Sequence, residues 1–251
     1  MDGRMMMGVI LAGGRGTRLL PLTERTNKHL LKVGGATMLE HNLRALAAAG
    51  VRDAIVVTDA SCVESFGPHI ADAARYGLGS IELASQDGAN GIADALRCAR
   101  SFTGERSLLV LLGDNLFGSS LAPHAKAFRG DAMVLLAETE TPAEYGIAEL
   151  DGGQVARVVE KPSEAASNLA VVGAYFYRSG VYEIIDRLSP SERGELEISD
   201  LNNAYAARGE LEHRMLDGWW ADAGTHDGLA RAERLIAEHG INGAAPARER
   251  A

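Results

Sequence analysis

Gly8-Val9-Ile10-Leu11-Ala12-Gly13-Gly14-Arg15-Gly16-Thr17-Arg18-Leu19 is the stretch on which the fold turns. Its apolar run, Gly8 to Ala12, stops at two glycines, the pattern of a buried strand that opens onto a loop. In such a loop small residues let backbone N–H groups approach phosphate oxygens, and the two arginines add positive charge. The spacing is not that of a Walker loop. The third glycine of a dinucleotide fingerprint is also missing, because Leu19 stands in its place.

Outward from the loop, Thr37 and Glu40 have the spacing of a capping box, and Leu39, Leu43 and Leu46 recur at helical intervals until Gly50 supplies a stop. A helix is expected over about 38–49. Ala54–Thr58, Ile81–Ala84 and Ser107–Leu112 read as further buried strands with helical stretches between them. Strands alternating with helices imply right-handed crossovers and a mostly parallel sheet covered on both faces, a Rossmann-like three-layer α/β sandwich. Beyond about residue 130 the pattern becomes richer in β: Met133–Ala137, Ile147–Leu150, Val155–Val159 and Val171–Tyr177 are strand-like, and Gly152-Gly153 reads as a hairpin turn. A helix over about 197–208, a strand over 211–216 and a helix over 227–238 complete the pattern, with 240–251 expected as a flexible tail. No linker divides the chain, so one domain is expected.

With 46% hydrophobic and 24% charged residues, the 251-residue chain can bury a large core. A formal net charge of -9 excludes a broad basic surface for nucleic acid or an anionic membrane, yet leaves room for a small anion held by a few basic groups in a cleft. Cys62 and Cys98 form no CxxC pair and have no His-rich neighbourhood, and read as core or helix-face residues. No stretch has the length and apolarity of a signal peptide or a membrane span, so a cytoplasmic protein is expected.

The loop LAGGRGTRL, followed by Pro21-Leu22-Thr23 and Asn27-Lys28-His29-Leu30-Leu31, resembles the signature of the nucleotidyltransferases that activate sugar 1-phosphates, most of all short-form glucose-1-phosphate thymidylyltransferases. The resemblance continues through Leu112-Gly113-Asp114-Asn115, Glu144-Tyr145-Gly146, Glu160-Lys161-Pro162, Gly194–Asp200 and Trp220–Thr225, in family order from residue 8 to about 230. It implies one nucleotidyltransferase domain over 1–239, with a nucleotide-binding half at about 8–130 and a sugar-binding half at about 131–239. The implied reaction is in-line attack of a sugar 1-phosphate oxygen on the α-phosphorus of a nucleoside triphosphate, dTTP favoured, with pyrophosphate as leaving group. A phosphate monoester has a second pKa of about 6, so this nucleophile needs no general base. The work left to the protein is positioning and charge stabilisation.

The resemblance also distributes roles. Arg15 is expected to hold the departing phosphates and Lys28 the reacting one, with Arg18 a further candidate. Leu11, Ala12, Gly13, Gly14, Gly16 and Thr17 form the nucleotide loop, and Gln86 and Gly91 match the segment that reads the base. Asp114 and Asp222 match two carboxylate ligands of a Mg²⁺ cofactor. On the sugar side, Tyr145, Gly146, Glu160, Lys161, Val172 and Gly173 correspond to residues that contact the sugar phosphate. A homo-oligomer is the family habit. Gly194–Asp200 and the two tryptophans, Trp219 and Trp220, read as structural support, and His29 as shaping its loop.

Departures are visible too. The family's Lys-Pro-Met is replaced near Gly35-Ala36-Thr37-Met38, the Pro-Asp pair before Gly91 is missing, and Asp-Thr-Gly-Thr reads Asp222-Ala223-Gly224-Thr225. These bear on which sugar and which base are used. Two other readings stand beside the enzyme: a catalytically silent nucleotide-sugar-binding regulator, whose signature would be loss of the cations or carboxylates, and a cytidylyltransferase for a non-sugar phosphate.

Overall fold

The structure is a computed structural model that describes residues 6–88 and 90–246. Its strands are β1 (Met7–Ala12), β2 (Lys32–Val33), β3 (Ala36–Thr37), β4 (Asp53–Asp59), β5 (Ser80–Gln86), β6 (Leu108–Leu112), β7 (Asn115–Phe117), β8 (Ala132–Glu138), β9 (Gly146–Asp151), β10 (Gln154–Glu160), β11 (Leu169–Tyr177), β12 (Leu211–Met215) and β13 (Trp220–Asp222). The α-helices are α1 (Met38–Ala48), α2 (Val63–Ile70), α3 (Ile92–Cys98), α4 (Arg100–Thr103), α5 (Ala122–Ala127), α6 (Val181–Ile185), α7 (Ile198–Ala206) and α8 (His226–His239).

The expected α/β sandwich is present. β6, β1, β4 and β5 lie parallel in that order, and alternate residues of β1 serve opposite layers: Val9 and Leu11 face α3, α6 and α7, while Ile10 and Ala12 face α1 and α2. Every residue of β1 is buried, which is why its sequence is a continuous apolar run and not an alternation. α1 begins at the predicted capping box, with Thr37 Oγ1 accepting from Glu40 N and Glu40 Oε2 accepting from Thr37 N.

The β-rich half extends the same sheet. β11 runs antiparallel to β6 over Ala174–Tyr177 and meets β9 at Ala170, while β8 pairs with β11 and carries the edge strand β12. Gly152 and Gly153, both at positive φ, make the expected turn between β9 and β10. β11 joins the two halves in one sheet, pairing with β6 on one side and with β8 and β9 on the other.

A third apolar cluster lies under α8, where Ala232 and Ile236 pack on Val33, Met38, Leu116, Ala221 and Ala223. The expectation of a flexible tail from residue 240 needs correcting over its first residues. Asn242 N donates to Phe117 O, Gly243 N to Gly118 O and Asn242 Nδ2 to His41 O, so backbone groups of β7 and α1 hold this segment. Residues 247–251 lie outside the described residues. Among the described residues no helix is long and apolar enough to cross a membrane.

Candidate active site

A cavity of about 320 Å³ opens where β1, β4 and β6 end, the crevice at the carboxyl edge of parallel strands where open α/β sheets bind ligands. Its lining gathers Leu11, Gly13, Gly14, Lys28, Gln86, Gly91, Asp114, Tyr145, Gly146, Glu160, Lys161, Gly173 and Asp222. Residues separated by more than two hundred positions in sequence therefore share one wall.

The two carboxylates meet through a piece of structure with almost no local signature. After β6, Gly113 N donates to Leu11 O and turns the chain into β7, which pairs antiparallel with β13 so that Asn115 stands opposite Asp222. Ala223 N donates to Asp114 O across the same junction. Between the carboxylates there is a gap kept open by a glycine: a Cβ on Gly224 would stand 2.9 Å from Asp222 Oδ1 and 3.0 Å from Asp114 Oδ2.

Lys28 Nζ pairs with Asp114 Oδ2. Burial acts to raise the Asp114 carboxyl, but Lys28, His29 and the hydrogen bonds from Lys28 and Asn115 hold it well below the usual carboxylate range. Asp222 is the opposite case. Burial, then the charge of Asp114, push it up to about 6, against the Gly224 N–H, Lys28 and Arg18. Lys28 pairs with Asp114 alone, so Asp222 has no ion-pair partner of its own among the described residues. Among the described residues no cluster of three or more His, Cys, Asp or Glu exists to hold a metal by protein groups alone. Two oxygen ligands facing a gap suit Mg²⁺, which takes one or two carboxylates and completes its shell with water and substrate phosphates.

His29 is buried, with Nδ1 2.8 Å from Asn27 Oδ1. Burial and then the Lys28 charge bring its pKa down to about 3, so it stays neutral and shapes the loop.

The glycine loop sorts its two arginines. Gly16, at φ 62, precedes a short 3₁₀ turn over Thr17–Leu19 that carries Leu19 into the core and turns Arg18 toward the carboxylates. An Arg18 guanidinium nitrogen lies 3.4 Å from the position a Gly224 Cβ would take. Arg15 is exposed, and neither it nor Ala12, Gly16 or Thr17 lines this cavity or the groove beside it. Of the two loop arginines expected to meet phosphate, Arg18 is the one that stands beside the carboxylates. Gly14 N is already occupied, donating to Asp59 Oδ2 at 2.9 Å. Asp59 ends β4 and lines the cavity; the sequence reading passed over it because the apolar run stops at Thr58.

At the end of the cavity where the sequence places base recognition, Gln86 is buried and its amide has one orientation. Nε2 donates to Asp94 Oδ2 at 2.8 Å and to Gly91 O at 3.1 Å, and Asp94 is itself paired with Arg97. An ionised carboxylate only accepts, so Oε1 is the atom left to the cavity. It lies 3.6 Å from the position of a Cβ on Gly13. Gly91, at φ 100, packs against the Leu196 backbone, while Leu196 N donates to Asn90 O and Ala93 N to Leu196 O. The 194–200 stretch thereby supports the backbone around Gly91, and its Glu195 and Ile198 also reach the cavity. Ala89 lies outside the described residues.

At the other end, Lys161 has a left-handed backbone, φ 44, and its N–H donates to Tyr145 O, which turns the chain after β10 into the cavity. Glu160 is raised by burial, with Glu197 adding to the effect and Lys161 and Arg193 opposing it. A Cβ on Gly146 would come 3.3 Å from Glu160 Oε2, and one on Gly173 would come 2.5 Å from Asn115 Cγ. Val172 departs from expectation: its side chain is buried in the α1-side core, and by strand alternation Val171 and Gly173 face the cavity. Asn115 is the joint of this region. It donates to Asp114 Oδ1 at 3.1 Å and accepts from Gly173 N at 3.0 Å and Trp220 Nε1 at 2.6 Å. Trp220 packs edge-on against Tyr145, ring centroids 4.9 Å apart, as the structural reading expected.

Residues 7–239 match the family described as Nucleotidyl transferase. The chain is similar to a glucose-1-phosphate thymidylyltransferase of Neisseria meningitidis, 37% identical over 92% of this chain and 82% of the relative. It is also similar to a low-salt glycan biosynthesis nucleotidyltransferase of Haloferax volcanii, 34% identical over 93% of this chain but only 66% of the relative's length. Among solved structures, a Bacillus anthracis protein described as a glucose-1-phosphate thymidylyltransferase superposes with a TM-score of 0.87 at 40% identity, covering 92% of this chain and 94% of that one.

Proposed function

The chain belongs to the nucleotidyl transferase family, and from that premise we propose that it transfers a nucleoside monophosphate from a triphosphate, dTTP favoured, to a sugar 1-phosphate, giving a nucleotide sugar and pyrophosphate. The observation that carries the reading is the Lys28–Asp114–Asp222 group, which stands between a cavity end fitted to a base edge and an end fitted to sugar hydroxyls.

The acceptor oxygen forms a bond to the α-phosphorus while the bond to the bridging oxygen breaks, and the electron pair leaves with pyrophosphate. No protein base takes part, because the phosphate dianion is already a nucleophile. Lys28 holds the reacting phosphate and Arg18 the departing ones, supplying fixed positive charge where negative charge gathers. Glu160 accepts hydrogen bonds from sugar hydroxyls, and Lys161 contacts the acceptor phosphate. Gly146 and Gly173, by lacking side chains, leave the ring its space. Asp114 and Asp222 would hold Mg²⁺, which when bound supplies charge neutralisation on the phosphates. At the other end, Gln86 Oε1 accepts the imide N–H of the base. The reading carries with it a cytoplasmic enzyme that works as a homo-oligomer; light scattering tests the second point and fractionation the first.

The deciding experiment incubates the purified protein with Mg²⁺ and a matrix of nucleoside triphosphates against sugar 1-phosphates, following pyrophosphate and identifying products by mass. Pyrophosphate release that needs both substrates and stops on adding chelator is the expected result. Folded protein that binds nucleotide sugar without turnover on any pair would instead establish the silent regulator.

A further inference from the structure

Beside the reaction cavity lies a second groove of about 910 Å³. The two share Arg18, Glu144, Tyr145, Lys161, Trp220 and Asp222, so the groove leads directly to the carboxylates and to the acceptor side of the site. One wall is the end of β8 and its connection to β9, with exposed Glu138, Glu140 and Glu144. The facing wall is α8, where Arg231 and Arg234 lie three residues apart on one helical face. Among the described residues none of these five side chains makes an ion pair, although acids and bases line the same groove.

Opposed walls of unpaired charge are chemically specific. A carboxylate accepts hydrogen bonds from hydroxyls, and a guanidinium fork binds phosphate. A sugar phosphate carries both kinds of group. A simple anion would leave the acidic wall unused and be repelled by it, and a neutral sugar would leave the arginines without a partner. Asp227 also lines the groove at the start of α8, so the groove as a whole is mixed in charge and its selectivity rests on where each sign sits.

We propose that this groove is where the acceptor sugar phosphate first binds, its hydroxyls toward the 138–144 connection and its phosphate toward Arg231 and Arg234, before it passes Lys161 into the reaction cavity. The inference rests on the reading of the site as a sugar-phosphate nucleotidyltransferase, and adds to it a capture site on α8 for one of the two substrates.

The test is the double variant Arg231→Gln/Arg234→Gln, with Arg187→Gln/Arg214→Gln, two exposed arginines outside the groove, as a control for the same change in net charge. KM for the sugar 1-phosphate is expected to rise about tenfold at low salt and less at high salt, while KM for the triphosphate stays within about twofold. Equal effects on both substrates, no effect, or the same effect from Arg187→Gln/Arg214→Gln would overturn the groove. If the unaltered protein turns over no substrate pair, the underlying reading fails and calorimetric titration with glucose 1-phosphate decides the groove separately. Binding that weakens in the double variant alone supports it, and binding that is absent or unchanged rejects it.

Discussion

The Trp220 indole donates to Asn115 Oδ1 at 2.6 Å, and the same oxygen accepts from Gly173 N at 3.0 Å. One side-chain amide thus joins the carboxylate strand, the sugar wall and, through its own N–H, Asp114. Asn115→Ala leaves two buried donors without an acceptor, each worth about 1–3 kcal/mol when unsatisfied. The expected result is a clear fall in the urea midpoint together with a fall in kcat. A variant with the midpoint and turnover of the original protein would show that Asn115 is not the joint described.

Gly224 is the residue whose missing side chain leaves open the space beside Asp114 and Asp222. Its φ lies outside the left-handed region, so Gly224→Ala strains only the contact with the carboxylates. The fold should persist, and half-saturation by Mg²⁺ in the activity assay should move up by about tenfold, equivalent to about 1.4 kcal/mol. Circular dichroism and a Mg²⁺ titration check the two halves of this prediction; unchanged half-saturation would remove the gap as the metal's place.

How much of this was legible in the sequence depended on whether the signal was local. β1, β4, β6 and α1 were readable because each buries a continuous apolar run or an apolar stripe whose period the sequence repeats. β7 and β13 were not. They are three residues each, Asn115-Leu116-Phe117 and Trp220-Ala221-Asp222, and exist because they pair with each other across more than a hundred residues. The carboxylates were found through family resemblance, while the pairing that brings them together could not be. Val172 shows a finer limit: a strand position is legible, but which neighbour faces the cavity depends on the register of β11, which shifts between Val171 and Tyr175. Arg15 and Arg18 carry the same charge in the same loop, and only the turn begun at Gly16 separates a side chain outside the cavity from one beside the carboxylates.

That separation is directly testable. Arg18→Ala should lower kcat by about 10³-fold or more, on the scale of an arginine that stabilises transferring phosphate. Arg15→Ala, whose side chain is exposed outside the cavity, should keep turnover within about tenfold, consistent with a charge acting through solvent. Parallel assays of the two purified variants decide the assignment, and the reverse ranking would return the role to Arg15.

The orientation of Gln86 makes the last prediction, which concerns the donor. Asp94 and Gly91 use both donors of its Nε2, so the amide presents only an acceptor to a base. Thymine and uracil carry an N–H at ring position 3, whereas cytosine has an acceptor there, and two acceptors face to face leave both unpaired. A site that loses a buried hydrogen bond in this way can discriminate by two or more orders of magnitude. We therefore expect kcat/KM for dTTP and UTP to exceed that for CTP by at least about a hundredfold. Gln86→Glu should weaken binding of all three, because its carboxylate would face Asp94 with no donor between them. Competition assays with paired triphosphates measure the preference, and comparable use of CTP would show that Gln86 Oε1 does not read the base.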